Sequence, residues 1–176
     1  HVLKTALHYF RYLEYFSLFF IVYSSISKPK DVKQLLTVTS LSLLGISIYG
    51  IGQKYYYWPV YSTMNREFSK GIRLYLTEHA RVQSTFAGHY DLAAYLVIIL
   101  PIILALAYSA KKRSLKIGLF LLQLLGCWLL IMSAARTSFA AYGLASSIVI
   151  ILFGFIQNKI WPKISWIASR FASLWI

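Results

Sequence analysis

Acid is what this 176-residue chain has least of: five aspartates and glutamates stand against 18 lysines and arginines, for a net charge of +13. Cysteine is nearly absent too. Cys127 is alone, so a disulfide within the chain and a cysteine-based zinc site are both excluded. No histidine, cysteine or carboxylate cluster has metal-ligand spacing, and neither a Ser-His-Asp arrangement nor a glycine-rich phosphate loop is visible. Gly50 and Gly52 in "YGIGQ" do not open a nucleotide fingerprint and read as permitting close helix packing. No cofactor or metal is expected. Internal repeats, low-complexity tracts and a signal peptide are missing as well; the first apolar run carries Arg11 and Glu14 and continues too far for one.

Apolar residues fill the space. They make up 59% of the chain, and the mean hydropathy is +0.62. Continuous apolar runs near the ~20 residues a helix needs to cross hydrocarbon point to transmembrane helices. A closed β-barrel would show alternation instead. The expected fold is all-α: a polytopic transmembrane bundle of five to six spans in a single membrane domain, 1–176, taken as part of a longer protein. Spans are placed at about 5–26, 34–53, 92–110, 117–134 and 138–156. An outer segment, 54–91, separates spans two and three. Residues 161–176 form either an interfacial amphipathic helix or a sixth span.

The positive charge fits membrane surfaces better than nucleic acid, for which no motif is present. "KPKDVK" (28–33), "KKRSLK" (111–116) and "QNKIWPK" (157–163) all fall on one side if the spans alternate. That side is read as cytoplasmic, with 54–91 and Arg136 facing outward. "KYYYWPVY" (54–61) suits an aromatic anchor at the headgroup level, or alternatively a platform for stacking sugars. "NREFSKGIRLYLTEHAR" (65–81) has a loose helical period and is expected to hold a short surface helix. Arg11 and Glu14, three residues apart, are expected to pair on one face of the first span.

Two arginines carry the functional question. Arg136 in "MSAARTSFAAYG" stands between two apolar blocks with no acid nearby. It is either a cation snorkelling from a tight helix–helix turn or an anion site facing the bundle. The small neighbours Ala134, Ala135, Ala140 and Ala141 leave room around the guanidinium. Arg81 precedes the third span, whose hairpin with the fourth brings the chain back to the same boundary. Two convergent guanidinium forks suit a diphosphate, which they bind with paired hydrogen bonds. Ser84, Thr85, Asp91 and Ser133 are supporting candidates. Asp91 reads as an N-cap of the third span, or as an acid orienting Arg81. His89 is a candidate acid or base, against a structural role at the start of that span.

"RYLEYFSLFFIVYS", "IYGIGQKY", "RVQSTFAGHYDLAAYLVIILPIILAL" and "LLIMSAARTSFAAYGLA" together resemble the O-antigen ligase family, which includes O-antigen polymerases, over roughly residues 10–155. The resemblance implies a glycosyltransferase of the bacterial cytoplasmic membrane. Such enzymes move a glycan from an undecaprenyl-diphosphate-linked donor to a glycan or lipid acceptor, usually without metal. It implies that Arg81, before "S-T-F", and Arg136, in "SAART", hold the donor diphosphate. Ser133 and Ala135 depart from the usual Thr and Ser, and Thr137 stands where glycine is common. The family's catalytic histidine lies in a large later loop with no counterpart in these 176 residues, so the catalytic base is unassigned and His89 is not promoted in its place. Two readings outside the resemblance are a transporter or flippase for an anionic lipid or sugar and a non-enzymatic membrane scaffold. In either case membrane lipids are partners.

Overall fold

The computed structural model describes residues 2–60 and 72–158, without the side chains of 2–8, 11, 12, 15, 157 and 158. Five helices account for most of it: α1 (Val2–Ser25), α2 (Pro29–Tyr55), α3 (His89–Ser109), α4 (Arg113–Met132) and α5 (Arg136–Asn158). Among the described residues the one β pairing is an isolated antiparallel bridge between Val60 and Leu74. Pro29–Tyr55, His89–Ser109, Arg113–Met132 and Arg136–Ile156 are each long and apolar enough to cross a bilayer. In α1 the apolar stretch among described side chains is Phe16–Ser25. The chain is an all-helical membrane protein.

The chain forms two compact units, residues 1–39 and 40–176. The first holds α1 and the start of α2. Phe16, Phe19, Phe20 and Tyr23 of α1 are exposed, as suits side chains that meet lipid. α2 begins inside the basic linker because Pro29 takes the first helical position, where its missing N–H costs nothing. Asp31 secures that start by accepting the backbone N–H groups of Ser27 (3.1 Å) and Lys28 (2.9 Å).

In the second unit, α3 is the central helix and packs along both α4 and α5. Its buried residues Leu92, Leu96, Leu100, Ile103 and Ala107 recur at three- and four-residue spacing and so share one face. Leu92, Leu96, Leu100 and Ile103 form the core with Leu43 of α2 and Leu122, Leu129 and Leu130 of α4. Two glycines set how closely the helices approach. A Cβ at Gly126 would run into the Leu100 side chain, and one at Gly50 into the Leu129 side chain. A larger residue at either place requires the facing leucine to move, in line with the packing role read for Gly50. Pro101 lies inside α3. It lacks the amide hydrogen that would continue the ladder, which transmembrane helices tolerate when buried against neighbours.

Two local expectations are corrected. Residues 72–80 carry the Val60–Leu74 bridge and a turn, not a helix; the Val60 N–H donates to the Leu74 carbonyl at 2.7 Å, which holds this stretch extended. The rest of the expected surface helix, the expected helix at 161–176 and the Arg11 side chain lie outside the described residues. Asp91 is not an N-cap. α3 starts at His89 with Gly88 in the cap position, extended at φ −153°. Asp91 therefore sits in the first turn, where a carboxylate is favoured by the helix dipole.

Candidate functional site

The second unit gathers the sequence-derived candidates at one end of the bundle. α4 ends where Ala134 adopts φ 51°, the left-handed conformation that stops a helix. Ser133 N–H donates to Leu129 O and Ala134 N–H to Ile131 O, both at 3.0 Å. The Ser133 hydroxyl donates to Leu130 O at 2.6 Å. Ser133 is fully buried, so its polar groups close the helix and face no ligand. The chain then re-enters helix at once, and Arg136 is the first residue of α5.

Arg136 is exposed and lines a cavity of about 310 Å³ with Leu130, Ile131, Ala134, Ala135 and Phe139. The pocket is apolar on its walls and cationic at one residue. A cation at a helix N-terminus faces the positive end of the dipole, which is unfavourable unless an anion joins it. The first turn of α5 holds no acid. Oriented amide groups and a guanidinium at the same helix end favour an anion.

Arg81 reaches this end through the backbone. Val82 N–H donates to Met132 O at 3.1 Å, which ties the segment before α3 to the last residue of α4. Val82 itself is fully buried in the core. The segment is held from the other side by Gln53 near the end of α2. Gln53 Nε2 donates to Ser84 O at 2.9 Å and Pro59 O at 3.2 Å, and Ser84 N–H donates to Gln53 Oε1 at 2.8 Å. The Ser84 hydroxyl donates to Ile46 O at 2.6 Å. Ser84 is fully buried with φ 51°, a conformation costly for any residue but glycine. This knot makes Ser84 a structural clamp with no polar group left over. Thr85 beside it is exposed.

The Arg81 guanidinium is oriented, but not by the acid considered for it. Nη1 donates to His89 Nε2 at 2.9 Å and lies 3.5 Å from the Tyr90 hydroxyl. The His89 and Tyr90 rings are 4.0 Å apart. Arginine has only donors, so Nε2 must accept; His89 is neutral in this geometry with its proton on Nδ1. The imidazole lone pair is thus occupied and is not presented to a substrate. Among the described residues the bonds of Arg81 use one nitrogen and leave the Nη2 and Nε edge, which is suited to two-point recognition of an anion.

Gln53, Val82 and Tyr90 were not among the sequence-derived candidates. Gln53 carries a readable signal, an amide directly after "YGIG" in an apolar run. Tyr90 adjoins His89, but helix geometry does not place neighbours on one face, so their joint contact with Arg81 depends on the fold. The aromatic group after α2 divides in the structure. Tyr55 stacks on Trp128 at 6.0 Å and Trp58 packs on Tyr49 at 5.3 Å, while Tyr56 and Tyr57 are exposed. Among the described residues no three His, Cys, Asp or Glu side chains gather as a metal site requires. Comparison with protein-family models, curated proteins and solved structures finds no match for this chain.

Proposed function

We propose that this chain forms the donor-binding part of a bacterial cytoplasmic-membrane glycosyltransferase of the O-antigen ligase and polymerase kind. Its donor is a glycan on undecaprenyl diphosphate, and its acceptor is a second glycan or a lipid. The observation that carries the reading is the Arg136 pocket: a guanidinium at a helix N-terminus, without an acid in that turn, in a cavity with apolar walls. A lipid diphosphate has both halves of the matching chemistry, an anion for the fork and hydrocarbon for Leu130, Ile131 and Phe139. Arg81, on a segment tied to the same end by Val82 and Met132, supplies a second fork held in place by His89.

In the reaction an acceptor hydroxyl attacks the anomeric carbon of the donor sugar. The bond from that carbon to the diphosphate oxygen breaks, and its electrons leave on undecaprenyl diphosphate. The hydroxyl proton goes to a base not assigned within this chain. Guanidinium groups that bind the leaving diphosphate more tightly as its charge grows lower the barrier. The partly dehydrated pocket strengthens the interaction.

The test is glycan transfer by the full-length protein carrying Arg81→Ala, Arg136→Ala or Arg136→Lys, with membrane abundance measured in parallel. Both alanine variants are expected to lose transfer at normal abundance. Arg136→Lys is expected to lose most of it, because an ammonium cannot make the paired contact. Normal transfer by the lysine variant would reduce Arg136 to a snorkelling cation.

A further inference from the structure

A second groove lies between α2 and α4, along the helices from the Arg136 pocket toward the Lys111–Lys116 turn. Its volume is about 510 Å³, and Leu41, Leu44, Leu115, Leu119, Leu122 and Leu125 line it. It exists because the helices approach closely near the other end, where Gly50 meets Leu129, and leave space toward the start of α4. Leu41 is 62% exposed and Leu115 is 54% exposed, so the protein's own core does not fill the groove. Gly118 forms part of its wall, and a Cβ there would meet nothing within 4 Å.

The chemistry at the groove's end selects an occupant. Ser114 and Leu115, which line that end, are flanked by Arg113 and Lys116 and preceded by Lys111 and Lys112. No acid interrupts the run. Lys111, Lys112 and Arg113 are exposed, and Lys116 is half-buried. A four-cation turn next to a hydrocarbon-lined slot between transmembrane helices matches an anionic headgroup joined to an acyl chain. The volume falls in the ordinary range of lipid and small-molecule pockets.

We infer that the α2–α4 groove is a binding site for an anionic phospholipid, with its phosphate against Lys111, Lys112, Arg113 and Lys116 and one acyl chain along the leucines. The inference does not rest on the glycosyltransferase reading, because neither arginine of that site takes part. Such a lipid would fill the space that α2 and α4 leave between them and couple the position of α2 to leaflet composition.

The experiment is native mass spectrometry of the purified full-length protein with phosphatidylglycerol or phosphatidylcholine of matched chains. The parent is expected to retain phosphatidylglycerol in preference, by about 5-fold for each cation engaged. Neutralising the four cations to glutamine should abolish the preference. Gly118→Leu keeps every charge and has room for its Cβ, so it should fold while filling the groove, and retention of phosphatidylglycerol should fall. Equal retention of the two lipids by the parent would overturn the inference, as would unchanged retention by Gly118→Leu. A parent dimer that Gly118→Leu dissociates, with lipid retention unaltered, would assign the groove to a second copy of the chain and also overturn it.

Discussion

Replacing Gln53 with leucine should release the segment that carries Arg81 while leaving the helical core in place. Gln53 is 1% exposed, and its amide makes three hydrogen bonds, two with Ser84 and one with Pro59. Leucine fills a similar volume but pairs with none of these groups. The Pro59 carbonyl keeps the Tyr49 hydroxyl at 3.0 Å, so two groups are orphaned, the Ser84 N–H and the Ser84 C=O. At ~1–3 kcal/mol for each unpaired buried group, the loss is roughly 2–6 kcal/mol. The left-handed backbone at Ser84 adds to the tendency to open, since it persists only while its surroundings enforce it. The segment can meet water by detaching locally, so the loss should appear as local opening. Hydrogen exchange in detergent or nanodiscs reads it directly. The open population of the peptide containing Val82 and Ser84 should rise roughly 30-fold to 10⁴-fold, while peptides covering 92–100 and 122–130 keep parental protection. Parental protection throughout would refute the claim that Gln53 holds the segment.

Four further outcomes follow from named contacts. Gly126→Ala should destabilise the α3–α4 pair by ~1–3 kcal/mol through overpacking against Leu100; thermal unfolding should show partial recovery in the Gly126→Ala, Leu100→Ala double variant. Ala134→Gly should stabilise by ~1 kcal/mol, because glycine meets no Cβ penalty at φ 51°, and a lower melting temperature would contradict this. Gln123→Leu removes the 2.8 Å bond from Nε2 to the Tyr142 hydroxyl between α4 and α5; by the norm for hydrogen bonds between membrane helices the loss in a denaturant titration should be only ~0.6 kcal/mol. His89→Ala removes the acceptor that holds Arg81, whereas His89→Gln restores one; if His89 orients Arg81, donor affinity should fall in the first and recover in part in the second.

The helices were legible because hydrocarbon thickness sets a length that apolar runs must match. The ends were less so. α2 begins at Pro29 and α4 at Arg113, inside the basic linkers, because a helix continues for as long as its amides pair and hydropathy does not mark that point. Gly50 was readable as a close-packing residue, since a small residue in an apolar helix has few other uses. Roles that depend on contacts across the fold were not readable. Ser84 looked like ligand chemistry because it is polar and precedes a span, yet its partners, Gln53 and Ile46, lie 31 and 38 positions earlier. Ser133 beside Arg136 caps its own helix. Asp91 looked like a cap because it is the acid nearest the apolar run; the helix starts earlier, at His89, with Gly88 as its cap. Arg81 and His89 were both singled out from the sequence, but their bond was not, since eight intervening positions can fold in many ways.

The proposed function requires the Arg136 end of the bundle to hold a lipid diphosphate. Its most direct measurement is equilibrium binding of undecaprenyl diphosphate and undecaprenyl monophosphate to the purified full-length protein and to Arg136→Lys. The parent is expected to prefer the diphosphate, and Arg136→Lys to lose most of this preference while keeping its fold. Equal affinity for both lipids in the parent, or an undiminished preference in the lysine variant, would contradict it.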